Sequence, residues 1–368
     1  MIESGDDTAT RGAAPGRVYY FDYLRVWATV GVATLHSAWL IILARQDPKI
    51  DVISQFNVAN IYDSLGRFAV SCFFMISGAL LLAPGHRFRL RQQTLRVVFP
   101  LVTWSAIYVL FDAYFAVSDL PVVSGSNDHH GDVWAALKAF LRGPLAYHLW
   151  FVYVLVGIYL VVPLLRPLTA LEPARRGRLL RYALSLWLIF TILLPVVHHF
   201  WPGAVKLNSG AYPDFPSGYL GVFVLGFYLH HHGLRIRPIF YAVGALVGAG
   251  ATCLLVFYEQ TFRDGSFWAY SNLTPNVVVF AASVFMLAKT YANRPGRYFP
   301  FFSRCSALSF RVYLLHVLVL HYLRAISPIK DWYMHDPLLS IPAMAALTIV
   351  ISFSIAWLID QIKPLRPY

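Results

Sequence analysis

Residues 20–37 read YFDYLRVWATVGVATLHS. The stretch is apolar enough to cross a bilayer as a helix, yet it carries Asp22, Arg25 and His36. Ionisable groups in hydrocarbon are expensive, and their default meaning is functional. On a helix the steps from Arg25 to His36 make about three turns and rise about 16 Å, so both side chains fall on nearly one face, with Asp22 one turn earlier. A shared face predicts a shared cavity, with Arg25 near one membrane surface and His36 at or beyond the midplane. Taken singly, Asp22 and Arg25 also fit an interfacial ion pair with a snorkelling arginine, and His36 fits an interhelical hydrogen-bonding residue.

The chain around this stretch has 368 residues, of which 58% are hydrophobic, 16% aromatic and only 13% charged, far from a soluble average. Windows of about 20 mostly apolar residues suffice to span about 30 Å of hydrocarbon as helices. Ten such windows follow one another, at roughly 19–43, 57–82, 95–117, 149–168, 179–200, 218–230, 238–257, 275–291, 308–323 and 338–362. The fold class read from them is an all-α, polytopic integral membrane protein with about ten transmembrane helices. Residues 1–18 and 363–368 are expected as short tails around one membrane domain, 19–362. The first seventeen residues are polar and lack an apolar core followed by a cleavage site, which predicts that the first helix is retained. Cys72, Cys253 and Cys305 lie in or beside apolar spans with no paired or metal-ligand spacing and read as packing residues.

A formal net charge of +12 could suggest a nucleic-acid partner, but the cations alternate from loop to loop and form no single patch. Nineteen Lys and Arg residues fall on one side, including Arg17, Arg87, Arg89, Arg91, Arg96, Arg166, Arg176, Arg237, Lys289 and Arg304, against eight on the other. The positive-inside rule then predicts that both termini are cytoplasmic. The longest connection, 118–148, falls outside and includes His129 and His130; the triplet His230, His231 and His232 falls inside. Neither set has the spacing of a metal site, and no metal is expected.

The second apolar window repeats the pattern of the first. Asp63 and Arg67 stand four apart, able to pair on one helix face, and Ser71 and Ser77 follow. The pair is read either as structural neutralisation or as lining the polar cavity from the outer side. Glu259 is expected to be solvated beyond the seventh window, and Arg311 to snorkel at the start of the ninth.

Six segments in order then resemble the membrane-bound acyltransferase family 3. They are YFDYLRVWATVGVATLH, RFAVSCFFMISGALLL, RLRQQTLRVVFP, YHLWFVYVLVGIYLVVPLLRPL, GYLGVFVLGFYL and LSFRVYLLHVLVL, spread over nearly the whole chain. The likeness is closest to the single-domain sugar O-acetyltransferase branch, with one departure: Ser71 stands where the family pattern after RFAV has proline. The resemblance implies transfer of an acyl group, by default acetyl, from cytoplasmic acyl-CoA to a hydroxyl of a glycan or lipid-linked sugar across the membrane. It also implies the bacterial inner membrane as location and the bilayer as partner.

The residues suit that chemistry. An alcohol is a poor nucleophile at neutral pH, so a base that titrates near that range is needed, and His36 is assigned as that base or as a covalent acyl acceptor. Arg25 is assigned to a CoA phosphate or to the thioester carbonyl, using its fixed fork of donors. Arg89, Arg91 and Arg96 are expected to clamp the anionic donor, most of all Arg96, which stands four residues before Pro100. His148 and Trp150, at the outer start of the fourth window, are candidates for the acceptor sugar, as are Asp63 and Arg67. His316 is either a packing residue or part of the site. The competing reading is a secondary transporter or flippase, since polar residues near the midplane of ten helices also describe carriers.

Overall fold

The computed structural model describes residues 17–44, 53–115, 138, 140–203, 216–234, 236–263 and 265–362. Among these residues the chain is helical, with no β-strand. Helix α1 (Tyr19–Ala44) lies in the middle of the bundle and packs on α2 (Ile53–Gly66), α3 (Phe68–Leu81), α10 (Pro275–Tyr291), α11 (Phe299–Ala325) and α13 (Pro337–Gln361). Its place follows from its sequence, because apolar residues on several faces (Leu24, Ala28, Val32, Leu40 and Ile41) are all buried. Helices α4 (Leu90–Phe115), α5 (Trp150–Thr169) and α6 (Pro173–Trp187) stand to one side, and α9 (Pro238–Phe262) packs along α10 and α2. The short α7 (Leu194–Phe200) continues α6, and α12 (Ser327–His335) links α11 to α13.

Nine helical segments among the described residues are long and apolar enough to cross a membrane. The expected sixth window is α8 (Pro216–His231), whose 16 residues rise about 24 Å. Leu160, Leu164, Leu246, Leu254 and Val350 are exposed on the outside of the bundle, where a bilayer supplies the cover that water cannot. Proline at the first position of α6, α9, α10 and α13 is pre-set for a helix start and removes an N–H that has no acceptor there.

Several windows prove shorter than the helices that contain them. The ninth, expected at 308–323, is a 27-residue helix, and the third and fifth start at Leu90 and Pro173. Apolar windows stop at charged side chains, whereas the backbone ladder continues through them. Arg311 does not snorkel; its Nη1 lies 2.6 Å from the Asp360 carboxylate on α13. The second window is two helices, broken at Arg67 and running through Ser71 without interruption. The fifth passes through a π-helical turn, Leu188–Leu193, just before Pro195, a residue that removes a ladder donor and crowds the preceding carbonyls. Glu259 is fully buried in α9, not solvated; it takes His199 Nε2 at 3.2 Å, and the His199 ring stacks on Trp268.

α3 and α8 cross at two glycines. A Cβ on Gly78 would stand 1.8 Å from the Phe223 carbonyl oxygen, and one on Gly226 would stand 2.1 Å from that of Met75. The backbones therefore meet directly, the close approach that small residues allow between membrane helices. Gly226→Leu is expected to push α8 off α3 and to destabilise the fold by at least the 1–3 kcal/mol or so typical of overpacking. A thermal melt in detergent checks this; an unchanged midpoint would show that the crossing tolerates a side chain.

Candidate active site

Two cavities along α1 hold the ionisable residues singled out above. The first, about 260 Å³, is lined by Arg25, Ser77 of α3, Gln93 and Arg96 of α4, Phe151 and Tyr159 of α5, and Ser309 and Tyr313 of α11, among others. The second, about 330 Å³, is lined by His36 and Trp39, Arg67, Tyr147, Trp150, Tyr219, and the turn from Phe267 to Asn272. They belong to opposite ends of the bundle. Arg17 meets Ser303 and Tyr20 meets His230 at the Arg25 end, whereas Trp39 meets Phe267 and Tyr270 at the His36 end.

The Arg25 cavity has an unequal ion arrangement at its rim. The Asp22–Arg25 pair is present, with Arg25 Nη1 3.8 Å from Oδ1, and Arg17 joins it more closely, donating to Asp22 Oδ2 at 2.9 and 3.1 Å. Ser306 Oγ, at 3.4 Å, is a long contact for Arg25. Most of the donor fork of Arg25 is thus uncommitted, in a site that also holds Arg96. The start of α4 is fixed from α5, because Arg166 donates to the carbonyls of Leu81 and His86 in the preceding turn. Burial, and then the Arg166 cation, push the His86 ring in that turn below its ordinary range. Arg89 and Arg91 are exposed and are not among the residues lining this cavity.

At the His36 cavity, Arg67 and Asp63 form the expected pair across one helical turn, with Asp63 fully buried. Arg67 also donates to the Tyr270 carbonyl at 3.2 Å, and its guanidinium carbon lies 4.0 Å from the centre of the Tyr270 ring. Trp150 and Tyr219 approach at 5.1 Å and form an aromatic wall opposite. Trp150 lines the cavity, whereas His148 does not. The turn Tyr147–Leu149 that precedes α5 folds it inward to 1% exposure, against Tyr108 and Tyr313.

One cavity was expected from the shared face of Arg25 and His36, and the bundle makes two because this inward turn fills the space between them. Tyr313 of the Arg25 cavity touches His148 and His316, and His316 touches His36, through ring centroids 5.8, 5.7 and 5.2 Å apart. Among the described residues, His36 Nδ1, Tyr147 Oη and His316 Nε2 in this junction are buried without a hydrogen-bond partner. A buried polar atom left unpaired costs about 1–3 kcal/mol, so the junction is chemically suited to a polar occupant.

A family model for an acyltransferase domain, acyltransferase family 3, matches residues 18–357. The chain belongs to this acyltransferase family. The match spans α1 through nearly all of α13 and so includes both cavities and the junction. No match was found among curated proteins or among solved structures. Membership of acyltransferase family 3 makes the protein a multi-pass membrane acyltransferase. Sequence reasoning missed Gln93, Tyr159, Tyr219 and Tyr270, which line the cavities from helix faces and turns that carry no distinctive spacing. Tyr147 had a signal, its place beside His148 in YHLW. His129 and His130 lie outside the described residues.

Proposed function

We propose that this acyltransferase moves an acyl group, by default acetyl, from cytoplasmic acyl-CoA through the Arg25 cavity to a sugar hydroxyl held in the His36 cavity. The observation that carries the reading is the pair of cavities on opposite halves of the bundle, joined by buried polar rings. Arg25, Arg96 and Gln93 offer a cationic, hydrogen-bonding mouth suited to an anionic nucleotide donor. Trp39, Trp150, Tyr219 and Tyr270 offer ring faces to a sugar, and Arg67 offers a cation beside them.

In the transfer step His36 takes the hydroxyl proton as the new C–O bond forms. The thioester C–S bond breaks, and the proton is passed to the departing thiolate. Arg25, in a separate cavity from His36, would hold a CoA phosphate rather than the reacting thioester carbonyl. Arg89 and Arg91, exposed at the head of α4, would attract the donor without gripping it.

The test is transfer of label from radiolabelled acetyl-CoA to bacterial surface glycans by detergent-purified protein. Label on the glycan fraction supports the reading. Its absence with every glycan tried, together with substrate movement in vesicles, would favour the transport alternative.

The charge distribution supports cytoplasmic termini, an orientation in which the Arg25 cavity would face the side where CoA is found. A fluorescent protein fused after Tyr368 is expected to mature and fluoresce, and alkaline phosphatase fused there to be inactive. The reverse pattern would turn the bundle over and remove the donor assignment from Arg25.

A further inference from the structure

The unpartnered atoms at the junction point to a specific task for His316. This residue is 2% exposed in α11, and its Nδ1 lies 2.6 Å from the carbonyl oxygen of Tyr313. A carbonyl only accepts, so Nδ1 carries the hydrogen and, in the neutral ring, Nε2 carries the lone pair. That Nε2 is buried and has no partner in the protein. Across the junction His36 Nδ1 is likewise buried and unpartnered, while the His36 ring lines the acceptor-side cavity. The centroids are 5.2 Å apart and the planes inclined at 35°, a separation that a hydrogen bond between two facing ring nitrogens can span, and χ2 of His36 is a broad, soft torsion.

We propose that His316 is a positioning residue for His36: its Nε2 accepts from Nδ1–H of His36 and so leaves the Nε2 lone pair of His36 turned to the cavity. The chain Tyr313 carbonyl, His316, His36 then has the logic of an oriented base, in which a second group fixes which ring nitrogen is free to react. His316 gains no proton at any stage. The acceptor proton goes to His36 Nε2 and leaves again to the thiolate, while the bond to His316 holds the ring in one tautomer throughout. His148 is not the orienting group, since its ring meets Tyr108, Tyr147, Tyr313 and His316 rather than His36.

This inference rests on His36 as the base, and its test has a readout that needs no acceptor. Diethyl pyrocarbonate modifies a histidine at an accessible ring nitrogen that bears a lone pair, and peptide mass spectrometry reports the rate at His36. In the full-length protein in detergent, His316→Leu is expected to slow that modification several-fold, because His36 then also populates the tautomer with Nε2–H in the cavity. His316→Gln, whose amide oxygen can accept the same bond, is expected to restore most of the rate. In the transfer assay His316→Leu should lower kcat roughly ten- to a hundredfold, the usual loss when an orienting partner is removed, with KM for both substrates nearly unchanged.

Equal modification of His36 in wild type and His316→Leu would overturn the inference. So would a leucine variant with full kcat, which would leave the acyltransfer reading intact. The expected modification pattern in a wild-type protein that transfers no acyl group would instead uphold the orientation and overturn the reading of function. Should the leucine variant not purify as a monodisperse protein, His316→Asn, whose amide is too short to reach His36, gives the same comparison.

Discussion

Replacing His36 with alanine is expected to reduce acyl transfer by about a hundred- to ten-thousandfold, the range over which a positioned acid–base side chain contributes. The size of the effect follows from position. His36 stands where the acceptor-side cavity meets the rings of Tyr147 and His316, with both centroids 5.2 Å away, and among the described residues no other histidine lines that cavity. His148 and His316 lie behind it at 1% and 2% exposure and cannot take its place at the cavity wall. The fold should survive, because the core contacts of α1 come from Leu24, Ala28, Val32 and Leu40, and His36 itself is only half-buried beside the cavity. The measurement is label transfer from acetyl-CoA by wild type and His36→Ala, matched for thermal midpoint; equal transfer would remove His36 from the chemistry. Acid quench of wild type with labelled acetyl-CoA and no acceptor separates two routes. A base leaves the protein unlabelled, whereas a covalent intermediate leaves label on His36.

Arg25→Lys is expected to lower kcat/KM for the donor by roughly ten- to a hundredfold, about the 1.5–3 kcal/mol of one charge-assisted hydrogen bond. Charge is conserved in this change, so the loss reports geometry. Arg17, not Arg25, holds Asp22 tightly, and the 3.8 Å approach of Arg25 to the same carboxylate leaves its planar fork free for a ligand. An ammonium on a flexible stem cannot present two parallel donors to a phosphate. Titration of acetyl-CoA against each variant decides it. Full activity in the lysine variant would show that only the positive charge is used, and would move the gripping role to Arg96.

Much of this was legible in the chain because membrane insertion imposes a one-dimensional rule. Each backbone polar group in hydrocarbon must be satisfied within its own helix, so apolar windows and alternating cations reveal the spans directly. The pairing of Asp63 with Arg67 was equally local, a matter of one helical turn. The helix ends were less legible, since α11 runs nine residues beyond its window at Phe299 on the strength of backbone bonds and the Arg311 to Asp360 contact. Glu259 was misread for a related reason: its partner His199 is 60 residues away in sequence, and the turn at Trp268–Tyr270, whose Ala269 N–H reaches its carboxylate, also closes over it only in the folded chain.

The sequence by itself determined that the chain is a helical membrane protein, that α1 carries Arg25 and His36 on one face, and that the family is an acyltransferase family. Only the tertiary structure decided that those two residues serve separate cavities. That division depends on the turn at Tyr147–Leu149, which folds His148 inward, and on Tyr313 and His316 of α11 meeting it there. Such contacts join residues more than 150 positions apart, and no periodicity along the chain can encode which rings will meet once the helices have packed.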